Sequence, residues 1–221
     1  MTTTTPSLVG ALEDVRAVAR TRGAAAALTA LASVVPLACV PGGYVLLPAG
    51  LTPPDGALRT ADVPTPEVPL TVWHVPPDGT AVDPRSAAAD LAWRTGVAAV
   101  RLGLAERLLE TACDRLRGRT VAGSPTIDLP PVRLAIADAV LAHLTSRALL
   151  STAEDGLPAT TLGTVTAALD DSGRTVLNLF GASGYLDDTP GRLARVAELL
   201  GHASGTLPHA PEPTAHDGKA S

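Results

Sequence analysis

Residues 83–125 read DPRSAAADLAWRTGVAAVRLGLAERLLETACDRLRGRTVAGSP. Asp83 followed by Pro84 is a helix-start pair. An aspartate oxygen accepts from the N–H groups left over at a helix start, and proline has no N–H to leave over. The pattern then runs without a breaker to Arg117, and Gly118 stands where a helix stops. Some 34 residues at about 1.5 Å each predict a helix about 50 Å long.

Three more helices are predicted beyond it. Asp128 is read as the cap of the second, with Pro130 and Pro131 in its first turn and an end near Asp155-Gly156. The third spans about Ala159 to Phe180. Gly181 to Asp188 reads as a turn-rich loop, after which Asp188 or Thr189 caps a fourth helix opened by Pro190. Long helices with short connections predict an up-down four-helix bundle over 83–206.

The segments before the bundle differ from it. Residues 1–6 are a polar leader. Residues 7–36 read as helix, with Ser7 as cap, Leu8, Leu12, Val15 and Val18 on one face, a break at Gly23 and a stop at Pro36. Residues 37–82 are crowded with prolines and glycines around two β-prone runs, Tyr44–Leu47 and Leu70–Val75. So few strands are marginal alone and must lean on helices or on another chain. Residues 207–221 have no periodicity and read as a disordered tail. The fold class is mainly α: a four-helix bundle preceded by a short helical piece and a small β remnant.

Composition narrows the function. The 221 residues carry 17 Lys plus Arg against 22 Asp plus Glu, a net charge of −5. No basic stripe exists to displace counterions from a nucleic acid. Aromatic residues are 2% of the chain, too few for stacking platforms. Lys219, in the tail, is the sole lysine, so no catalytic lysine is expected. Cys39 and Cys113 stand in unrelated contexts and read as free thiols of a reducing cytoplasm. The leader has no charged region ahead of an apolar stretch, so no signal peptide is read there. The most apolar stretch, Gly23–Val40, is alanine-rich, contains Pro36 and reads as a soluble helix rather than a membrane span. The histidines at 74, 143, 202, 209 and 216 have no metal-binding spacing, and neither a phosphate-binding glycine loop nor a nucleophile elbow is present.

Three segments carry a resemblance. The first is Leu102 to Gly123, the part of the long helix that ends in Arg119-Thr120-Val121-Ala122-Gly123-Ser124-Pro125. The second is the helix from Leu129 to Leu150, with Ala137-Asp138 and Arg147. The third is Val176 to Pro190, VLNLFGASGYLDDTP, followed by Arg195. In order and spacing they resemble the C-terminal four-helix domain of the acyl-CoA dehydrogenases, over about residues 84–206. Their counterparts there are an Arg-x-x-Phe-Gly motif, a Leu-Ala-Asp-Met…Ala-Ala-Arg helix, and a Gln-x-x-Gly-Gly-x-Gly-Tyr/Phe loop before Arg-Asp-Ala. Members of that family are much longer, with a helical domain and a β-barrel domain before the bundle.

The resemblance implies a flavin site shared between subunits. In the family, the arginine matching Arg119 reaches the FAD pyrophosphate of a neighbouring subunit, and a guanidinium forks well onto phosphate oxygens. The matches at Gly123, Asn178, Gly181 and Gly184 imply further cofactor contact. Departures stand beside them: Ala122 for phenylalanine, Asn178 for glutamine and Ala182 for the second glycine. Without the resemblance, Arg119 is a cation suited to a helix C-terminus, as are Arg115 and Arg117. Tyr185 reads as a core residue.

The family reaction needs a carboxylate to take the α-proton of an acyl thioester. Most members place it in a Glu-Gly-Thr motif, which here reads Ser204-Gly205-Thr206. A minority place it on the first long helix, near Ala92. Neither position holds a carboxylate, so no catalytic residue is assigned. His202 beside Ser204, and Asp90 and Glu106 on the long helix, are the remaining ionisable neighbours, and each also reads as a solvated surface group.

These observations predict a non-catalytic partner subunit. It would pair with a full-length acyl-CoA dehydrogenase homologue, or with itself as a homodimer, and complete an interface FAD site for acyl thioesters of coenzyme A or a carrier protein. Arginine-for-lysine usage suggests a high-GC bacterial source and a breakdown or biosynthetic role. The alternative is a stand-alone, flavin-free protein whose bundle serves ligand binding or a non-redox reaction such as cyclisation. Neither reading calls for a metal, a nucleic acid or a membrane.

Overall fold

The chain enters its first helix at Ser7, whose Oγ accepts from the Gly10 N–H at 3.3 Å. The computed structural model describes residues 7–65, 68–77, 82–181 and 189–203. Helix α1 (Leu8–Arg22) buries Ala11, Leu12, Val15 and Ala19; of the predicted face Leu12 and Val15 are buried, while Leu8 and Val18 are half-buried. Gly23 breaks the chain, and α2 (Ala24–Ala32) follows as an alanine-rich helix buried on Ala25, Leu28 and Leu31.

Three strands form one antiparallel sheet of order β1-β3-β2. They are β1 (Tyr44–Pro48), β2 (Leu58–Val63) and β3 (Leu70–His74). Only β1 and β3 are legible beforehand. β1 is the buried strand, and Val45, Leu46 and Leu47 join one apolar cluster with Leu28 and Leu31 of α2. The sheet thus leans on the chain's own helices.

Helix α3 (Pro84–Gly118) has the predicted bounds, with the Asp83 carboxylate accepting from the Ser86 N–H at 3.2 Å. It is the axis of the molecule. Its first half packs on α1, α2 and the sheet, and its middle on α1 and α5. Its last third packs on α4 (Pro130–Leu150) and α5 (Ala159–Phe180) through Leu108, Leu109, Ala112, Ala139, Val176 and Phe180. Helix α6 (Thr189–Ala203) returns along α3, placing Val196 and Leu200 in the first cluster. Helices α3 to α6 are the predicted four-helix bundle. The N-terminal piece is no appendage, however. At Gly103, α1 comes so near α3 that a Cβ would stand 2.2 Å from the Arg16 carbonyl oxygen. Overlap at that distance forbids any larger residue while α1 stays in place.

Two local expectations need correction. Asp128 does not cap α4. It lies in a 3-10 turn (Thr126–Asp128), and Leu129 is the cap residue, with no side-chain hydrogen bond. The cause is Pro130-Pro131: a proline at the first helical position puts the cap one residue before it, at Leu129. Helix α4 also ends at Leu150, short of Asp155-Gly156, in a turn where Ser151 and Thr152 donate their hydroxyls to Ala148 and Leu149 carbonyls at 2.7 Å. No helix among the described residues is long and apolar enough to cross a membrane.

Candidate functional site

The α3–α4 connection and the end of α5 meet at one end of the bundle, over the cluster that includes Leu109, Val176 and Phe180. The connection is a two-residue hairpin between β4 (Thr120–Val121) and β5 (Ser124–Pro125). Its turn residues, Ala122 (φ 49°) and Gly123 (φ 84°), both sit in left-handed backbone. Tight two-residue hairpins require this conformation. Among the described residues Ala122 is the one non-glycine with positive φ. The hairpin is tied down by Thr126, whose N–H and hydroxyl both donate to the Arg119 carbonyl, at 2.7 and 3.0 Å. Arg119 is the cap residue of α3, its carbonyl held and its side chain exposed.

On the α5 side, Asn178 is exposed one turn from the helix end, and its carbonyl accepts from the Gly181 N–H. Gly181 has φ 62°, which lets the chain leave the helix sharply. The topology therefore brings Arg119 and Gly123 to the same bundle end as Asn178 and Gly181. Gly184, Ala182 and Tyr185 lie outside the described residues.

The ionisable groups on α3 prove to be structural. Asp90 is buried, not solvated. Its carboxylate accepts from the Val40 N–H at 3.2 Å and pairs with Arg94 Nε at 2.9 Å. Burial pushes its pKa up, opposed by Arg94 and the Val40 N–H. It fastens the loop before β1 to the start of α3. The void beside it measures about 10 Å³, with no room for an acyl chain. Cys39 lines the same spot, and burial raises its thiol pKa to about 11, so it stays protonated. Glu106 is also not a solvated group: it pairs with the buried guanidinium of Arg16 across the α1–α3 contact. Arg16 in turn pairs with Glu13, which receives Arg147 of α4 at 2.7 Å. Ala92 packs against the apolar cluster and presents no polar group. His202 is exposed, with Nδ1 2.9 Å from the Glu198 carbonyl oxygen. Ser204 lies outside the described residues.

A second feature escapes sequence reading. Helices α3, α5 and α6 enclose a cavity of about 390 Å³ lined by Leu104, Leu108, Leu177, Ala194 and the charged Arg101, Asp170 and Glu198 among others. Arg101 is 3% exposed. It pairs with Asp170 and donates from Nε to the Ala197 carbonyl at 2.8 Å, while its Nη1 has no partner. A charged residue at an inward position of α3 is the one signal that could have pointed to it. Among the described residues no cluster of His, Cys, Asp and Glu could hold a metal ion.

Residues 91–207 match the family model described as the acyl-CoA dehydrogenase C-terminal domain. This chain belongs to the acyl-CoA dehydrogenase family. Among solved structures it is similar to a glutaryl-CoA dehydrogenase from Mycobacterium smegmatis in complex with FADH2, at 16% identity and TM-score 0.52, over 73% of this chain and 50% of that one. It is also similar to FkbI, described as acting in biosynthesis of the methoxymalonyl extender unit of the Fk520 polyketide immunosuppressant, at 21% identity and TM-score 0.53, over 70% and 49%. An acyl-CoA dehydrogenase from Slackia heliotrinireducens matches at 16% identity and TM-score 0.53, over 68% and 46%. The chain spans about half the length of these relatives or less. No curated protein matches it.

Proposed function

We propose that this chain is a non-catalytic partner subunit of a heteromeric, FAD-dependent acyl-thioester dehydrogenase. It completes a flavin site at the interface with a full-length homologue. What carries this reading is the contrast between its two kinds of charged group. Asp90 and Glu106, the carboxylates of α3 nearest to the work of a base, are engaged in ion pairs that hold the fold together. Arg119 instead stands exposed on a braced hairpin, beside the left-handed backbone of Ala122 and Gly123.

The donor set fits a pyrophosphate. A guanidinium and turn N–H groups are the chemistry that anionic oxygens seek. Bound FAD would supply the hydride acceptor of the complex, while the catalytic base of the homologue would take the α-proton. This chain's residues bind and orient: Arg119 holds charge, and Gly123, Asn178 and Gly181 shape the approach. Acyl thioesters on coenzyme A or a carrier protein are the substrates of that complex. The FkbI likeness favours a biosynthetic setting, and the free thiols Cys39 and Cys113 suit a reducing cytoplasm.

The cavity beside Arg101 favours a second reading, a flavin-free bundle that binds a small ligand. Its volume lies at the low end of small-molecule sites. One experiment separates the two. The chain is purified alone and with a full-length homologue from the same genome, and flavin absorbance and acyl-thioester oxidation are measured with an artificial electron acceptor. The proposal expects a colourless, inactive chain alone and a yellow, active complex. Failure of the complex to form, or turnover by the isolated chain above a flavin-only blank, would overturn it.

A further inference from the structure

Helices α5 and α6 face each other across small residues, yet they do not close on one another. Gly173 of α5 and Ala194 of α6 both line the cavity of about 390 Å³, which α3 backs. Small side chains at a helix contact ordinarily let the two axes approach. Here a Cβ built on Gly173 would meet nothing within 4 Å. The backbone does not call for glycine either, since Gly173 lies inside α5 and is not among the positive-φ residues. Alanine would serve the helix better at that position. What Gly173 leaves is space.

The space has two unlike ends. At one, Leu108 of α3, Leu177 of α5 and Leu193 of α6 line it, continuous with the apolar cluster there. About two turns back along α3 and α5 stand Arg101 and Asp170, with Glu198 coming from α6. Arg174 and Arg195, both exposed, mark the mouth between α5 and α6. Three arginines thus face two carboxylates. Arg101 pairs with Asp170, and its buried Nη1 has no acceptor. Arg174 is held by Asp171, which does not line the cavity, in a pair exposed on both sides. Such surface pairs are weak and yield readily to a better partner. Positive charge in excess at one end, and leucines at the other, complement a monoanion with an apolar body. A dry cavity of about 150 Å³ holds benzene, so this one takes a body roughly two to three times as large.

We propose that the cavity between α3, α5 and α6 binds a free, medium-chain carboxylic acid, its tail against Leu108, Leu177 and Leu193 and its carboxylate at Arg174 and Arg195. Arg101 closes the charged end behind them. This names a ligand class for the ligand-binding reading of the cavity. It is independent of the flavin role, because Arg119, Gly123, Asn178 and Gly181 take no part in it.

The test is calorimetric titration of the full chain with octanoate, and with octanol and octanoyl-CoA, which keep the tail and lack the carboxylate. Octanoate is expected to bind at least about tenfold more tightly than octanol, the measure of one charge-assisted hydrogen bond. Arg174→Gln should weaken octanoate toward the level of octanol and leave octanol unchanged. Gly173→Leu should abolish binding of both, with an unfolding temperature at or above that of wild type, because its side chain enters empty space. Ala194→Met, filling the cavity from the α6 wall, gives the same reading should Gly173→Leu not fold. Octanol binding as tightly as octanoate would overturn the carboxylate assignment while leaving the cavity a ligand site. Octanoyl-CoA binding more tightly than octanoate would overturn the free acid in favour of a thioester. No binding of octanoate at millimolar concentration, or binding that survives the filling variants, would overturn the site itself. Flavin is not read in this experiment, so its outcome leaves the flavin role to its own test.

Discussion

Gly201 is a glycine because Arg101 lies against it. A Cβ at position 201 would stand 2.9 Å from Arg101 Cζ and Nη1. The buried guanidinium reaches from α3 to α6, and α6 makes room by carrying no side chain where the two meet. Arg101 is bound to Asp170 and to the Ala197 carbonyl, so it cannot swing aside without breaking both. Gly201→Ala should therefore destabilise the fold by about 1–3 kcal/mol, the usual cost of overpacking. The penalty should shrink in an Arg101→Ala background. Urea unfolding of the two single variants and the double variant measures this, and equal penalties in both backgrounds would mean that the two residues do not oppose one another.

The same guanidinium predicts the effect of losing its partner. Asp170→Asn removes the carboxylate and leaves Arg101 charged and 3% exposed. Breaking a buried pair from one side costs about 3–5 kcal/mol. Asp170 is itself partly exposed, with 22% of its side chain accessible, so the lower end is expected. Thermal or urea unfolding would show it, and a loss below about 1 kcal/mol, the level of surface pairs, would contradict it.

His143 gives the fold a dependence on pH. Its Nε2 lies 2.8 Å from Ser172 Oγ, and the residue is 5% exposed. Burial lowers its pKa to about 4. An unfolded histidine binds its proton near pH 6.5. Between these values the unfolded chain holds the proton and the folded chain does not, so stability is full above about pH 6.5 and is lost as pH falls toward 4. The loss due to this residue is on the order of 3 kcal/mol. Glu13, whose carboxyl is held low chiefly by the Arg16 hydrogen bond, adds to acid lability only at lower pH. His143→Gln should flatten the slope between pH 6.5 and 4.5 in urea unfolding, and an unchanged slope would show that His143 is not the responsible group.

Ala122 predicts a gain rather than a loss. An alanine in left-handed backbone costs about 1–2 kcal/mol because its Cβ crowds the following carbonyl. Ala122→Gly removes that clash, and Ala122→Asn eases it, since asparagine adopts this backbone readily. Either should raise stability by about 1 kcal/mol, read as a higher urea midpoint with an unchanged slope. A lower midpoint would show that the Ala122 methyl makes contacts worth more than its strain.

What the sequence makes legible here follows its periodicities and punctuation. Helix α3 is delimited by Asp83-Pro84 and Gly118, and α5 by its apolar spacing, so both can be read to within a residue. Strand β2 cannot be, because five of its six residues are exposed and show no buried face; pairing with β3 is what makes it a strand. Asp128 misleads because the residue type suits a cap, while the two prolines after it shift the cap to Leu129. Asp90 and Glu106 read as surface charges because their partners, Val40 and Arg16, come from distant segments. At the candidate site, Arg119 and Gly123 are visible as a motif. Their meeting with Asn178 and Gly181 at one bundle end comes only from the parallel course of α3 and α5, with α4 returning between them.

The central claim, that this chain lends Arg119 to a flavin bound at a subunit interface, is tested most directly by flavin occupancy. The complex with the full-length homologue is purified with wild-type chain, with Arg119→Ala and with Arg117→Ala, and the flavin-to-protein absorbance ratio is compared. A charge-assisted hydrogen bond of about 1.5–3 kcal/mol translates into roughly ten- to a hundredfold weaker flavin retention in Arg119→Ala. Arg117, exposed and paired at 2.6 Å with Asp114 on its own helix, should leave retention at the wild-type level when replaced. Equal occupancy in all three complexes would contradict the account and take Arg119 out of the flavin site.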